Sequence, residues 1–116
     1  MHELSIALDL IDVASAEMAR LGSVHVTCVH LRLGALSGVA KESLTFSFDT
    51  AVMGTPLDGA RLQIDDVAAS VWCDWCGAER ELLELTRRRC PVCQSPTPRV
   101  VRGGELELVA LEIEDV

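Results

Sequence analysis

The chain is poor in aromatic residues, in positive charge and in uninterrupted apolar runs. Only four of its 116 residues are aromatic, two Trp and two Phe, so any core is built from aliphatic side chains. An apolar fraction of 49% is enough for one modest domain, or for a domain carrying a small lobe. Ten basic residues against eighteen acidic ones give a formal charge of −8, which argues against general binding to a phosphate backbone; no nucleic-acid partner is expected. The start, Met1-His2-Glu3-Leu4, lacks the basic residues of a signal peptide. Asp9, Asp12 and Glu17 interrupt the apolar residues that follow, so neither a signal core nor a membrane span is expected. These features predict a cytoplasmic protein without a membrane partner. No repeat, low-complexity segment, nucleotide-binding loop or nucleophile–base pair is present, and nothing points to an enzyme.

Cysteine is what the chain has in a pattern. Cys73-Asp74-Trp75-Cys76 and Cys90-Pro91-Val92-Cys93 are separated by thirteen residues. Two C-x-x-C pairs place four thiolates where one tetrahedral ion takes them all, and zinc suits such a soft cage. The spacer is slightly short for a double C-x-x-C site, but any hairpin closes it. Gly77 permits positive φ after the first pair, and Pro91 stiffens the second. Two disulfides or four unrelated thiols are the alternatives, and disulfides need an oxidising compartment. Four sulfurs leave no open position, so the zinc is expected to be structural. Bound zinc with four thiolates makes the chain two charges more negative. Arg87-Arg88-Arg89 abuts Cys90 and reads as a counter-charge that keeps the cysteines ionised. Cys28, the odd cysteine, reads as a small buried hydrophobe.

In chain order, Leu4 to Leu21 has helical periodicity: Leu4, Ala7, Leu8, Ile11, Ala14, Met18 and Leu21 form a stripe, widened by Ile6, Leu10 and Val13. Gly22 is placed to end that helix. Ser23–Leu33 predicts a strand with Val24, Val26 and Cys28 on one face and Val29, Leu31 and Leu33 on the other. His25 and His30 fall on opposite faces and read as surface or satisfied core groups. A second helix is expected from Ala40 to Val52, facing the core through Leu44, Phe48, Ala51 and Val52. A strand is expected over 60–71, then lobe strands at Glu79–Leu85 and Arg99–Arg102, and a final strand over Glu105–Glu114. In that last strand a change of apolar parity between Leu108 and Val109 hints at a bulge or at burial on both faces. The fold class is therefore α+β, a small three-stranded sheet packed by two helices with an inserted four-cysteine zinc-ribbon lobe. Residues 1–71 plus 100–116 are expected to form the body, and 72–99 the lobe.

The first three residues carry a second chemistry. The α-amine, the His2 imidazole and the Glu3 carboxylate can converge on one small cation, and such nitrogen and oxygen donors suit nickel and copper. The first amides of a helix have no intrahelical partner, so a metal can displace their protons without breaking a ladder bond. The positive end of the helix macrodipole opposes a bare cation there, and deprotonated amides or Glu3 must outweigh it.

Met1-His2-Glu3-Leu4-Ser5-Ile6 at the start, the Cys73/Cys76/Cys90/Cys93 quartet, and the ending from Gly104 through Glu114 together resemble the HypA (HybF) family of hydrogenase maturation proteins, over essentially the whole chain. The resemblance implies a nickel metallochaperone. It implies Ni²⁺ as cargo held by Met1, His2 and Glu3, with His2 indispensable and backbone nitrogens participating. It implies structural Zn²⁺ on the four cysteines. It also implies a partner GTPase of the HypB type, with delivery of nickel to the large subunit of [NiFe]-hydrogenase and, for some members, to urease. Two departures stand out: no histidine flanks either C-x-x-C pair, and no histidine-rich nickel store is present. Two other readings fit the residues, an acidic zinc-ribbon adaptor that binds proteins and a rubredoxin-like iron carrier.

Overall fold

A computed structural model describes residues 2–116. The elements run α1 (Glu3–Leu21), β1 (Val24–Gly34), α2 (Lys41–Ala51), β2 (Arg61–Val67), β3 (Ser70–Cys73), β4 (Ala78–Glu81), β5 (Val100–Arg102) and β6 (Leu106–Asp115). This is the α+β class read from the sequence, with one three-stranded sheet ordered β2-β1-β6 and a second ordered β4-β3-β5. No described helix is long and apolar enough to cross a membrane. The chain divides into two compact units. One comprises Met1–Leu31, Val39–Asp65 and Glu107–Val116, and the other Arg32–Gly38 and Asp66–Leu106. The second unit thus takes in residues 32–38 as well as the cysteine segment.

In the first unit α1 packs on α2. The buried stripe of α1 is Ile6, Ala7, Leu10, Ile11 and Ala14, at the three- and four-residue spacing that keeps one face inward. Leu4, Leu8, Val13 and Leu21, which the periodicity also placed in the stripe, are exposed. The apolar arc of α1 is wider than the surface available to cover it. Gly22 ends the helix at φ 90°, its amide donating to the Met18 carbonyl at 3.0 Å. In α2, Leu44 and Phe48 are fully buried, and Val52 follows them just past the helix end. Strand β1 is central and buries residues of both parities, Val26 and Cys28 on one, Val29, Leu31 and Leu33 on the other. The Val116 amide bonds the Ser23 carbonyl and the Thr27 hydroxyl bonds the Glu112 carbonyl. Numbers that rise on one strand while falling on the other make β1 and β6 antiparallel. Strand β6 is an edge strand with Val109 and Ile113 exposed, so its parity change does not reflect burial on both faces; partial burial passes from Leu106 and Leu108 to Leu111.

In the second unit β3 pairs antiparallel with β4, from Ser70 opposite Glu81 to Cys73 opposite Ala78, and with β5. Ala69, Val71 and Leu82 form its small core, with Leu36 and Val100 against them. The strand expected over 60–71 is two strands, β2 and β3. No glycine or proline marks the break at residues 68–69. It arises because the Val67 carbonyl bonds the Ala35 amide and the Ala69 carbonyl bonds the Leu82 amide, handing the chain to different partners on either side. Strand β4 stops at Glu81, short of Leu85, because its partner β3 has only four residues. Leu83 and Leu85 are therefore exposed.

Candidate metal centres

Two knuckles of matching backbone build the cysteine cluster. After Cys76, Gly77 sits at φ 65° and its amide bonds the Cys73 carbonyl at 2.8 Å. After Cys93, Gln94 sits at φ 64° and its amide bonds the Cys90 carbonyl at 2.9 Å. The left-handed residue turns the chain back, so both sulfurs of each pair face one side. Gly77 takes it freely; Gln94 does so at a steric cost. The Cys76 amide points at the Cys73 sulfur and the Val92 amide at the Cys90 sulfur, both at 3.4 Å.

All four Sγ atoms lie within 4.8 Å of one another. Cys73 Sγ is 3.5 Å from Cys93 Sγ, and Cys76 Sγ 3.9 Å from Cys90 Sγ. A tetrahedral ion with metal–sulfur bonds of about 2.3 Å sets its sulfurs about 3.8 Å apart, and these separations bracket that value. The five cysteines carry no disulfide. The residues therefore fit one zinc ion, which would tie the two knuckles together and supply folding free energy to a unit with a small core.

The electrostatics are uneven. The Cys76 amide lowers the Cys73 pKa, but burial and the neighbouring sulfurs outweigh it and push Cys73 up to about 11. The Ser95 hydroxyl and amide pull Cys93 down to about 6. Burial raises Cys90, yet the Cys93 and Val92 amides bring it below its ordinary value. The counter-charge is Arg80, whose guanidinium is held protonated by Cys76 foremost and then by Cys90. Two side chains of the Arg87-Arg88-Arg89 run have other partners. Arg87 pairs with Glu84 and Arg89 donates to the Gln94 carbonyl at 3.2 Å, while Arg80 reaches the sulfurs from β4. Its signal lay in the hairpin register that sets Arg80 opposite Val71. Nearby, Glu79 accepts from the Ser70 hydroxyl at 2.6 Å and from Arg102 Nε at 2.9 Å, and these bonds hold its carboxyl below the usual range. Trp75 is 83% exposed, whereas Trp72 is half-buried under the Arg99 guanidinium, 5.7 Å from the ring centroid.

At the amino terminus His2 is the N-cap of α1, extended at φ −80° and ψ 124°. Its carbonyl accepts the Ile6 amide at 3.3 Å. Its exposed side chain makes no capping bond, so the ring is not committed to the helix end. Glu3 opens the first turn, half-buried. Met1 lies outside the described residues. Of the other candidates, His25 is half-buried and Cys28 is fully buried. Burial first, and then the Glu112 carboxylate, raise the Cys28 thiol.

Residues 1–113 match the family model described as "Hydrogenase/urease nickel incorporation, metallochaperone, hypA". A "Hydrogenase maturation factor HypA" of Roseiflexus sp. (strain RS-1) is 49% identical over 115 residues, 99% of this chain and 94% of that protein. Another, of Chloroflexus aurantiacus, is 49% identical over 112 residues, 97% of this chain and 98% of that protein. The solution structure of the Ni metallochaperone HypA from Helicobacter pylori superposes with a TM-score of 0.67 at 23% identity, covering all of both chains.

Proposed function

The chain belongs to the HypA family of nickel-incorporation metallochaperones for hydrogenase maturation, and from that premise we propose that it carries Ni²⁺ on its first three residues and keeps a structural Zn²⁺ on Cys73, Cys76, Cys90 and Cys93. The carrying observation for nickel is His2: an exposed imidazole at the N-cap of α1, beside the first-turn carboxylate of Glu3 and free of capping duty. The amides of Glu3 and Leu4 precede the first intrahelical bond, so a cation there can compete for nitrogen donors without unwinding the helix. Square-planar nitrogen coordination of this kind suits Ni²⁺. Met1 contributes its α-amine and Glu3 a carboxylate that offsets the positive helix end. Ligands on the outermost turn can be surrendered to an acceptor without disturbing the core, which a carrier requires.

The protein acts without catalysis, in the cytoplasm, together with a GTPase of the HypB type. That partner supplies the nucleotide chemistry for which this sequence has no phosphate-binding loop. The recipient is the large subunit of [NiFe]-hydrogenase, with urease a second recipient in keeping with the family description. Nickel titration of protein with a native, untagged amino terminus tests the reading. His2→Ala should abolish specific nickel binding and leave zinc content unchanged. Nickel bound as tightly by His2→Ala as by the parent would refute the site.

A further inference from the structure

Outside both centres, one more set of metal-ligating side chains converges among the described residues of the first unit. Cys28 and His30 lie two residues apart on β1 and so share a face. Glu112 reaches them from β6, 82 positions from His30 in sequence, with its Oε2 3.0 Å from His30 Nε2. One ligand atom from each of Cys28, His30 and Glu112 lies within 4.8 Å of the other two. A tetrahedral ion with the usual bond lengths needs about 3.4 Å between its nitrogen and oxygen ligands and about 3.6 Å between sulfur and nitrogen. The cluster is thus within a small side-chain adjustment of a coordination sphere, and paired strands carry all three members.

We infer that Cys28, His30 and Glu112 form a second site for a tetrahedral, borderline divalent cation of the zinc and cobalt class, separate from the amino-terminal residues and from the cysteine quartet. The donor set carries the assignment. Thiolate, imidazole and carboxylate together select such ions over magnesium or calcium, which take oxygen alone. Binding displaces the Cys28 proton to solvent, and one thiolate plus one carboxylate then neutralise the two positive charges. Cys28 is buried, His30 is 27% exposed and Glu112 53% exposed, so the site is closed behind the sulfur and open on the carboxylate side. Three protein ligands leave the fourth position of a tetrahedral ion open to water or an exchanging ligand. Arg61 Nη2 lies 3.5 Å from Glu112 Oε2 and competes for that carboxylate. Its side chain is 69% exposed and can swing into solvent when a cation arrives.

The test uses full-length protein carrying His2→Ala and holding one zinc per chain, titrated with Co²⁺ while retained zinc is measured. One Co²⁺ should bind with a thiolate-to-metal charge-transfer band and with no loss of zinc. Cys28→Val should remove the band. His30→Gln and Glu112→Gln, both on solvent-reaching side chains, should weaken binding about tenfold or more, since removing even an outer-shell partner costs that much. Arg61→Gln should strengthen it, an effect that a merely structural His30–Glu112 pair would not give. No charge-transfer band with zinc retained would overturn the site, as would a band that survives Cys28→Val. Should Cys28→Val fail to fold, unchanged affinity in both His30→Gln and Glu112→Gln overturns it equally.

Discussion

Replacing Gly34 with alanine should cripple the second unit through a single methyl group. A Cβ built on Gly34 would stand 2.0 Å from the Gly103 carbonyl oxygen, 2.2 Å from its carbon and 2.8 Å from the Glu105 amide nitrogen. All three are backbone atoms, so no side chain can rotate away. The two segments must part by more than an ångström. That strips the Gly34 amide from the Glu105 carbonyl, now 2.8 Å, and the Leu36 amide from the Gly103 carbonyl, now 2.7 Å. Two hydrogen bonds at about 1 kcal/mol each, with about 1–3 kcal/mol for overpacking, give a loss of about 3–5 kcal/mol. A domain is stable by only about 5–15 kcal/mol in total. Gly104→Ala is the control, because nothing lies within 4 Å of a Cβ there; it should change stability by less than about 0.5 kcal/mol. Both tryptophans, Trp72 and Trp75, belong to the second unit, so their fluorescence in a urea titration reports that unit alone. With a slope of about 1–3 kcal/mol/M, the Gly34→Ala midpoint should fall by about 1 M or more. A midpoint within about 0.3 M of the parent, where the slope allows less than about 1 kcal/mol, would refute the steric argument.

Removing zinc with a chelator should release one ion per chain, change Trp72 emission and unfold the second unit, while far-UV dichroism from α1 and α2 persists; an emission spectrum indifferent to chelation would contradict this. Arg80→Met keeps the aliphatic stem but removes the charge beside Cys76 and Cys90, and should weaken zinc about tenfold in a chelator competition, whereas Arg88→Met should not. Glu79→Gln should destabilise the second unit in a pH-dependent way. Its folded carboxyl lies below the ordinary value because of Ser70 and Arg102, so the stabilisation is complete above the unfolded pKa, about 4.3, and is lost as pH falls through the folded one. Urea midpoints of parent and variant should therefore differ at pH 7 and converge in acid; a gap that widens in acid would reverse the assignment.

Features specified within a few neighbouring residues are legible in the amino-acid sequence alone. Two C-x-x-C pairs fix their sulfurs through knuckle geometry, so the quartet follows from local spacing, and Gly77 announces the first turn. The 3.6-residue period announces α1, and Gly22 its end. Tertiary structure decided what depends on partners distant in sequence. Leu4 and Leu8 have the same period as Ile6 and Leu10, and only the surface packed against α1 determines which are covered. The break between Val67 and Ser70 has no turn residue to mark it, because it is made by the carbonyls finding Ala35 and Leu82. Gln94 adopts a left-handed turn that its side chain disfavours, imposed by the second knuckle. Arg80 outdoes the conspicuous arginine run because hairpin register, not proximity in sequence, carries its charge to the sulfurs. Cys28 and His30 meet Glu112 only because the final strand returns beside the first, which brings a carboxylate to a thiol far from it in sequence.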